Sequence, residues 1–525
     1  MADLPPPYTF GLPEKFTEWR QHQPDALLRV VDSDNRFKLV IAPTGSGKSL
    51  IYLAAATIKG GRSVFLTSTK GLQSQLVRDF PNLVDIRGRN SYLCNYETDR
   101  TTCDHAPCVV GFQCRYRNGG GCRYYDALKR AQRSDMVVTN YAYWMYNNAH
   151  GDGFGEKEFN TLVCDEAHDA PDIVSSFLTI KLDRSDTFTR NILPLRTLND
   201  MSISEWSRWA EQAEVVVADE ADILKKKMER EKFLTKSERK IYAKLKRMSQ
   251  DLQRMTKMDD TWITDVGKLE VSFCPTWPAP DCEDALFLGI QNIVLTSASV
   301  CMKTADMLGI SEDDIEIMEY PHSFPVERRQ IIHVPTVRMN YRTNQAGIKT
   351  WLTRIDQILK PRLDRKGIIH TVSYKRRDAI LGHSKYRNQM MSHSRHNTEL
   401  TVNKFRNSQE PKILVSPSVT TGWDFPYTDA EYQIVGKVPY PDTTNKIVKT
   451  RTKEDSDYAP YIAAQTLMQS CGRINRAADD QGETFVIDDN IKWFMYKYDK
   501  FMTGWFREAF VQARTIPRPP ERLKI

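Results

Sequence analysis

The chain has 525 residues, of which 40% are hydrophobic and 27% are charged, and its formal net charge is +7. That length is too great for one hydrophobic core, so we expect roughly three or four domains. No run approaches the roughly 18 apolar residues of a membrane span, and the first residues lack the basic and apolar segments of a secretion signal. We therefore expect a cytoplasmic protein with no membrane partner, whose mild positive charge permits a nucleic-acid partner without requiring one.

A glycine-rich segment at 42–49 lies between an apolar run and a helix-like run. This is the context that a phosphate loop of the G-x-x-x-x-G-K-S/T type needs. Gly45 and Gly47 allow the backbone to turn its N–H groups toward one point, and the helix that follows adds partial positive charge. Lys48 supplies a full positive charge, and Ser49 supplies a hydroxyl for Mg²⁺. The segment predicts a nucleoside triphosphate site.

Two other segments near this loop carry weaker signals. Gln23 precedes the loop by some twenty residues, and its amide could read adenine by donating and accepting hydrogen bonds, or it could simply begin a solvated helix. Ser68 and Thr69 end an apolar run. They suit a contact with a nucleic-acid phosphate, and they equally suit an ordinary helix cap.

Five cysteines crowd into one short, loop-rich stretch: Cys94, Cys103, Cys108, Cys114 and Cys122. In a reducing compartment such a cluster indicates a metal rather than disulfides. Four thiolates without a well-placed histidine fit either tetrahedral zinc or a 4Fe–4S cluster, and the spacing does not separate the two. One of the five is spare if a single centre takes four.

An apolar run ending at Asp165 and Glu166 follows the cysteine segment. Adjacent carboxylates at the end of such a strand, downstream of a phosphate loop, are typical of nucleotide hydrolases. We expect Asp165 to hold the Mg²⁺ shell, and Glu166 to orient and deprotonate the attacking water.

The region 201–266 contains neither glycine nor proline and is densely charged. Apolar residues recur there with helical spacing, which predicts an antiparallel helical hairpin with two seams: Trp206, Trp209, Ala213 and Val216, then Ile241, Leu245, Met248, Leu252 and Met255. The basic runs at 225–227 and 244–247 are interpreted as a solvated face or as a contact for a phosphate backbone.

A second series of alternating strands and helices begins near residue 331. Its predicted strands, 331–334, 367–372, 412–415, 432–435 and 484–487, indicate a second parallel-sheet domain without its own phosphate loop. A helix-like segment near its end carries Arg473 and Arg476, which share a helix face. Such a pair, facing a triphosphate from another domain, can neutralise charge in the transition state.

Taken in order, these motifs resemble the superfamily 2 helicases, specifically the iron–sulfur branch called XPD/DinG-like. The matching segments are motif I at 42–49, motif Ia at 67–76, the DEAH box at 165–168, motif III at 295–299, motif IV at 366–374, motif V at 418–424 and motif VI at 469–476. The resemblance covers nearly the whole chain, and the order is more specific than any one motif. The chain is similar to a compact member of this family, of the kind found in phages and bacteria.

The resemblance implies an α/β fold with two RecA-like parallel-sheet domains, an inserted Cys-rich Fe–S domain and a helical arch domain. The implied segments are 1–88, 127–175 and 269–312 for the first helicase domain, 89–126 for the Fe–S insert, 176–268 for the arch and 313–525 for the second helicase domain. Cys94 and Cys122 best match the family's first and last cluster ligands, completed by two of Cys103, Cys108 and Cys114.

The resemblance also implies the cofactors ATP, Mg²⁺ and a 4Fe–4S cluster, with zinc as the alternative. The implied nucleotide-binding residues are Gln23, Thr44, Gly45, Ser46, Gly47, Lys48, Ser49, Asp165, His168, Gly422, Asp424 and Gln469. The implied catalytic residues are Lys48, Asp165, Glu166, Arg473 and Arg476. Ser49 and Asp165 are the implied Mg²⁺ ligands.

By the same resemblance we expect an ATP-dependent helicase that acts as a monomer on single-stranded and forked duplex DNA, with 5′ to 3′ polarity. Hydroxyls near Ser68, Thr69, Ser373, Thr420 and Thr421 would contact phosphates, and the aromatic candidates for base stacking are Tyr92, Tyr125, Tyr141 and Trp423. Two alternatives stay open: a translocase that never separates strands, and a zinc-stabilised nucleic-acid binding protein with a degenerate ATPase.

Overall fold

A computed structural model describes residues 4–97, 99–194, 198–231, 233–417, 423–475, 477 and 479–521. Its strands, numbered along the chain, are β1 (Phe37–Ile41), β2 (Ser63–Thr67), β3 (Val84–Asp85), β4 (Met136–Asn140), β5 (Thr161–Asp165), β6 (Ile180–Asp183), β7 (Trp262–Val266), β8 (Glu270–Pro275), β9 (Asn292–Ser297), β10 (Ile315–Glu319), β11 (Ile331–His333), β12 (Gly367–His370), β13 (Met390–Ser392), β14 (Ile413–Ser416), β15 (Tyr432–Val435), β16 (Glu483–Val486) and β17 (Phe510–Gln512).

The helices are α1 (Gln23–Asp32), α2 (Lys48–Lys59), α3 (Lys70–Asp79), α4 (Arg115–Gly119), α5 (Arg123–Arg133), α6 (Tyr141–His150), α7 (Ala170–Leu178), α8 (Thr187–Ile192), α9 (Ile203–Glu231), α10 (Lys236–Met255), α11 (Met302–Met307), α12 (Gln345–Leu359), α13 (Tyr374–His383), α14 (Thr398–Arg406), α15 (Lys446–Glu454), α16 (Tyr458–Cys471), α17 (Asn490–Lys497) and α18 (Gly504–Ala509).

The first sheet has seven parallel strands in the order β10–β1–β9–β5–β2–β4–β3. Its central strands are buried along their whole length, which is why they read as continuous apolar runs in the sequence. Alternate residues enter two different cores, with Leu39 and Leu66 on one face and Val40 and Phe65 on the other. Helices therefore cover both faces, as in doubly wound α/β domains.

The last strand of this sheet, β10, pairs in parallel with β1. It lies beyond residue 312, where the sequence placed the end of the first helicase domain. The first domain therefore continues to at least Glu319. A short strand at the edge of a sheet gives little sequence signal of which sheet it joins, because either sheet could supply its partner.

The second sheet also has seven parallel strands, in the order β13–β14–β12–β15–β16–β11–β17. The five strands predicted for this domain are all present, with ends that differ by at most two residues. Two short edge strands, β13 and β17, were not predicted. The fold class of two parallel-sheet α/β domains is confirmed.

The hairpin predicted in the region 201–266 is formed by α9 and α10. Helix α10 begins with a capping box in which Thr235 and Glu238 satisfy each other's backbone N–H groups. The predicted first seam is wrong at its end, because Val217 is buried whereas Val216 is half exposed. Ile241 is also exposed, whereas the rest of the second seam is buried.

The hairpin stands on a three-stranded antiparallel sheet, β6–β8–β7, that the sequence analysis did not predict. At its other end the hairpin contacts the cysteine segment. Lys236 Nζ lies 2.7 Å from Asp99 Oδ2, and an Arg239 Nη atom lies 2.7 Å from Glu97 Oε1. The Arg239–Glu97 pair is the more buried of the two, so it is the less screened by solvent.

Helix α15 joins the second domain to the base of the hairpin. Arg451, which is 2% exposed, donates from Nη2 to Ser175 Oγ at 2.9 Å and from Nη1 to Tyr458 Oη at 3.3 Å. Its Nε donates to the carbonyl oxygen of Thr276, and Lys446 reaches the carbonyl oxygen of Thr264. Within the described part of the chain, no helix is long and apolar enough to cross a membrane.

Candidate nucleotide-binding site

The phosphate loop leaves β1 and enters α2 through two residues in the left-handed region, Gly45 (φ +78°) and Gly47 (φ +76°). Only glycine adopts this backbone without strain. Lys48 Nζ donates to the carbonyl oxygens of Ala42 and Pro43, at 3.2 and 3.3 Å. Ser46 Oγ is buried and has no hydrogen-bond partner among the described residues. A buried hydroxyl in a loop of N–H groups fits an oxygen-rich anion such as a phosphate.

Gln23 is buried against this loop. Its Nε2 donates to the carbonyl oxygens of Ser46 and Gly47, at 2.9 and 3.2 Å, and its Oε1 accepts from the N–H of Arg20 at 2.8 Å. Both amide hydrogens therefore go to the loop, because a primary amide has only two donors. In this conformation Gln23 stabilises the loop. To contact adenine through its N–H groups, it must break one of its hydrogen bonds to the carbonyl oxygens of Ser46 and Gly47.

Asp165 ends β5, and Glu166 follows it with φ +50°. A non-glycine residue in the left-handed region is strained, and such strain is concentrated at functional sites. His168 Nδ1 lies 2.8 Å from Ser297 Oγ and 3.2 Å from Glu166 Oε2. Ser297 Oγ also lies 3.2 Å from Glu166 Oε2. Ser297, at the end of β9, thus contacts both Glu166 and His168 of the DEAH box.

The pKa values of the two neighbouring carboxylates, Asp165 and Glu166, are shifted in opposite directions. Burial, together with the negative charge of Glu166, raises the pKa of Asp165 to about 7. Burial also acts to raise the pKa of Glu166, but the contact with His168 and the charges of Lys48 and Arg473 outweigh it and lower that pKa. Glu166 is therefore ionised at neutral pH, whereas Asp165 is only partly ionised there unless a cation binds it.

Tyr52 is a site residue that sequence reasoning missed. Its hydroxyl lies 3.1 Å from Ser49 Oγ and 3.5 Å from Asp165 Oδ2, and its side chain is buried in the first domain. The phenol thus joins the two predicted Mg²⁺ ligands, and oxygen ligands of this kind suit Mg²⁺. The only available sequence signal is that Tyr52 lies three residues after Ser49 on α2, hence on the same helix face.

Helix α16 of the second domain faces this site. Gln469 Nε2 donates to Ser299 Oγ of the first domain at 2.7 Å. A methyl group placed on Gly472 would lie 3.6 Å from Thr44 Oγ1 of the phosphate loop. Motif VI therefore touches both motif III and motif I. The sheets are held together at the nucleotide site.

Arg473 is buried beside this contact. Its Nη2 donates to Gln469 Oε1 at 2.8 Å, its Nη1 donates to the carbonyl oxygen of Trp423 at 3.3 Å, and Nη1 lies 3.6 Å from Asp424 Oδ1. Asp424 is thus placed to hold the guanidinium. The predicted partner Arg476 lies outside the described residues, as do Thr420, Thr421 and Gly422.

The cysteine segment brings several of its thiols close together. The Cys103 and Cys122 thiols are hydrogen-bonded to each other, which raises the pKa of Cys103 and lowers that of Cys122. The charges of Cys94 and Cys108 also raise the pKa of Cys103, so these thiols are close to it. All five cysteines are free. Among the described residues, no group of three or more His, Cys, Asp or Glu side chains is arranged to hold a metal ion.

The residues predicted to contact DNA have mixed placements. Thr69 and Ser373 cap helices α3 and α13 by accepting from backbone N–H groups. Tyr125 and Tyr141 are buried in the core of the first domain, so they have no exposed face for a base. Tyr92 and Trp423 are partly buried. The stacking role predicted for Tyr125 and Tyr141 is therefore not compatible with this structure.

Comparison with known proteins agrees with this arrangement. Residues 363–509 match the family model of a helicase C-terminal domain, and residues 16–190 match that of the res subunit of type III restriction enzymes. Together the two matches take in more than half of the chain. The fold resembles that of a solved XPD helicase, with a TM-score of 0.65 at 13% identity over 94% of this chain and 98% of the other. The two domain matches and the fold together support an XPD/DinG-like superfamily 2 helicase.

Curated relatives of this XPD/DinG-like chain include an "ATP-dependent DNA helicase YoaA" from Haemophilus influenzae, 28% identical over 231 residues. A "3'-5' exonuclease DinG" from Staphylococcus epidermidis is 31% identical over 199 residues. The matches cover 32% and 28% of this chain, and 36% and 22% of the relatives. The solved structure of Xpd4 from S. tokodaii is also similar in fold, with a TM-score of 0.59 at 14% identity over 94% of this chain and all of the other.

Proposed function

We propose that this chain is an ATP-dependent DNA helicase that moves along single-stranded DNA and separates duplexes. The observation that carries the proposal is the contact of motif VI with both motif III and the phosphate loop. Gln469 bonds to Ser299, and Gly472 lies against Thr44. A nucleotide bound at the loop would lie where the two sheets meet, so its hydrolysis can change how they close on each other.

The proposed chemistry assigns one role to each side chain of the site. Lys48 and the N–H groups of the loop bind the ATP phosphates, and Ser49 and Asp165 would hold Mg²⁺, which supplies positive charge beside the phosphates. Glu166, ionised at neutral pH, orients the attacking water and accepts its proton. Arg473 neutralises charge that develops on the transferred phosphoryl group.

We extend these roles by resemblance to Arg476 as a second cation, to Gly422 and Asp424 near the nucleotide, and to His168 as the link between Glu166 and motif III. Gln469 would sense the nucleotide through Arg473, which it holds at 2.8 Å. Gln23 would contact adenine only after giving up a bond to the loop.

The proposed DNA path crosses both domains. The N-termini of α3 and α13, at Thr69 and Ser373, both present backbone N–H groups that can bind phosphates. Tyr92 and Trp423 are the aromatic candidates that keep part of their surface exposed. We propose forked duplex DNA as substrate, 5′ to 3′ polarity, a monomeric protein and a cytoplasmic location.

We also propose that four of the five clustered cysteines hold a 4Fe–4S cluster, with zinc as the alternative. The proximity of Cys94, Cys103, Cys108 and Cys122 supports a shared centre. Thiolate ligation is coupled to folding in such sites. The cluster would supply rigidity next to the hairpin contact, a role that does not require redox chemistry.

The test is strand separation of forked DNA with either a 5′ or a 3′ tail, using anaerobically purified protein and ATP. We expect unwinding of the 5′-tailed fork. Lys48→Ala should abolish ATP turnover and leave DNA binding unchanged, since the hydrogen bonds that the structure describes for Lys48 go to Ala42 and Pro43 of the phosphate loop. Translocation without strand separation would favour the translocase alternative, and undiminished turnover by Lys48→Ala would refute the assigned site.

A further inference from the structure

Tyr52 stands on α2, one turn after the residue that ends the phosphate loop. It is 2% exposed, and its ring packs 5.7 Å from the ring of Phe65 on β2. The ring is therefore fixed by the core, and the hydroxyl cannot swing to another partner. That hydroxyl lies between Ser49 Oγ, at 3.1 Å, and Asp165 Oδ2, at 3.5 Å.

The contacts of Asp165 are divided between its two oxygens. Oδ1 accepts the N–H of Glu166 at 3.1 Å, and Oδ2 faces the hydroxyl of Tyr52. With both oxygens held, the plane of the carboxylate is fixed before any cation arrives. A phenylalanine would fill the same space as Tyr52, so packing alone does not require the hydroxyl.

We propose that Tyr52 is a positioning residue for Mg²⁺, which orients Ser49 and Asp165 as a pair. This inference rests on the proposed ATP site. The Tyr52 hydroxyl is the donor toward both Ser49 Oγ and Asp165 Oδ2, so its single proton lies between the two ligand oxygens. This contact orients both oxygens, and each keeps a further lone pair for a cation.

The geometry keeps the Tyr52 hydroxyl beside both predicted ligands, at 3.1 Å from Ser49 Oγ and 3.5 Å from Asp165 Oδ2. Groups that orient metal ligands commonly change metal affinity by roughly 10- to 100-fold when removed.

The test compares Tyr52→Phe with the unmodified protein by equilibrium binding of a fluorescent ATP analogue over a range of Mg²⁺ concentrations. We expect the Mg²⁺ concentration at half-saturation to rise about 10-fold, whereas binding of the analogue without Mg²⁺ stays unchanged. The EPR spectrum of Mn²⁺, added with the analogue in place of Mg²⁺, should show weaker or altered binding in Tyr52→Phe. Tyr432→Phe, which removes a buried hydroxyl from the second sheet, is the matched control and should behave as the unmodified protein.

An unchanged Mg²⁺ dependence in a folded Tyr52→Phe protein would overturn the inference. A second measurement places Tyr52→Phe in an Asp165→Asn background, where its effect should be smaller than in the unmodified protein, because Tyr52 acts in part through that carboxylate. Additive losses would also overturn it. If the unmodified protein binds no nucleotide with or without Mg²⁺, the proposed function fails. If it binds nucleotide normally and Tyr52→Phe changes nothing, only the inference about Tyr52 fails.

Discussion

Gln469 in the second domain donates a hydrogen bond to Ser299 in the first, with 2.7 Å between Nε2 and Oγ. The other end of the same amide accepts from Arg473, so one side chain spans from the domain interface to the proposed catalytic arginine. The N–H of Ser299 in turn donates to Ser297 Oγ at 3.3 Å, and Ser297 contacts Glu166. A continuous set of contacts therefore joins Glu166 of the first domain to the second domain.

We predict that Gln469→Ala will reduce DNA-stimulated ATP hydrolysis by about 10-fold or more, because Arg473 loses its anchor and leaves a buried charge less well paired. ATP binding at the loop should change little. Steady-state kinetics with and without single-stranded DNA would measure both. Thr466→Ala on the same helix loses only a bond to the carbonyl of Ile462, so it should keep normal rates; equal losses in the two variants would contradict a specific role for Gln469.

The raised pKa of Asp165, about 7 instead of its ordinary value near 3.8, predicts a pH-dependent stability. A folded carboxyl that holds its proton more tightly than the unfolded one loses stability as pH rises from about 4 to about 7. We expect Asp165→Asn to raise the unfolding midpoint of the metal-free protein at pH 8. The advantage should shrink as pH falls below about 7.

Adding Mg²⁺ and ATP should reverse this order, since only the carboxylate form gains from the cation. Thermal unfolding followed by fluorescence, at pH 5 and pH 8, would check both parts. A variant no more stable than the unmodified protein at pH 8 would show that burial does not penalise the ionised Asp165.

Serine substitutions in the cysteine segment should separate ligands from the spare thiol. If four of the five hold one centre, four of the single variants will lose bound iron and visible absorption, and one will keep both. Each loss should lower stability as well, because the ligands also organise the fold. Iron, sulfide and zinc content of anaerobic preparations would measure this.

Cys301→Ser, in the first domain outside the cysteine segment and half-buried, is the control and should keep a full complement of iron. Colourless protein with one zinc per chain would exclude the iron–sulfur assignment. Five tolerant variants would exclude a shared centre of either kind.

Arg451 is predicted to couple the second domain to the hairpin. Arg451→Ala leaves the acceptors at Ser175, Thr276 and Tyr458 without their donor, at a cost of about 1–3 kcal/mol for each buried group left unsatisfied. We expect a lower unfolding midpoint and a larger loss of strand separation than of ATP hydrolysis. Lys453→Ala, on the same helix but exposed, should affect neither; proportional losses of both activities would argue against coupling.

The parts of the site that could be predicted from the sequence are those whose structure is determined by neighbouring residues in the chain. Lys48 and Ser49 follow a glycine-rich turn, and Asp165 and Glu166 end an apolar strand. Both signals lie within a few residues, and both are found at adjoining ends of strands β1 and β5, which flank β9. The buried central strands were equally accessible to prediction, since strands covered on both faces are continuous apolar runs.

What the sequence could not predict depends on contacts between distant segments. The bond from Gln469 to Ser299 joins residues 170 positions apart, and Gln23 turned toward the loop because carbonyls there face it. Tyr52 lies within an apolar helix, where nothing marks its hydroxyl as different from a core residue. The hairpin seam failed at Val216 because a strict seven-residue repeat drifts around a straight helix of 3.6 residues per turn, which brings Val217 inward instead.

The ion pairs that join the hairpin tip to the cysteine segment have a topological consequence. From the first domain one can trace the protein through the cysteine segment, across Arg239–Glu97 and Lys236–Asp99, and back along the hairpin to its sheet. Part of that circuit is made of charge rather than covalent bonds. If a nucleic-acid strand passes through this circuit, a linear strand could enter by threading its free end, whereas a circular strand would need the contact that includes these two ion pairs to open; added salt, which weakens ion pairs, would hasten its entry.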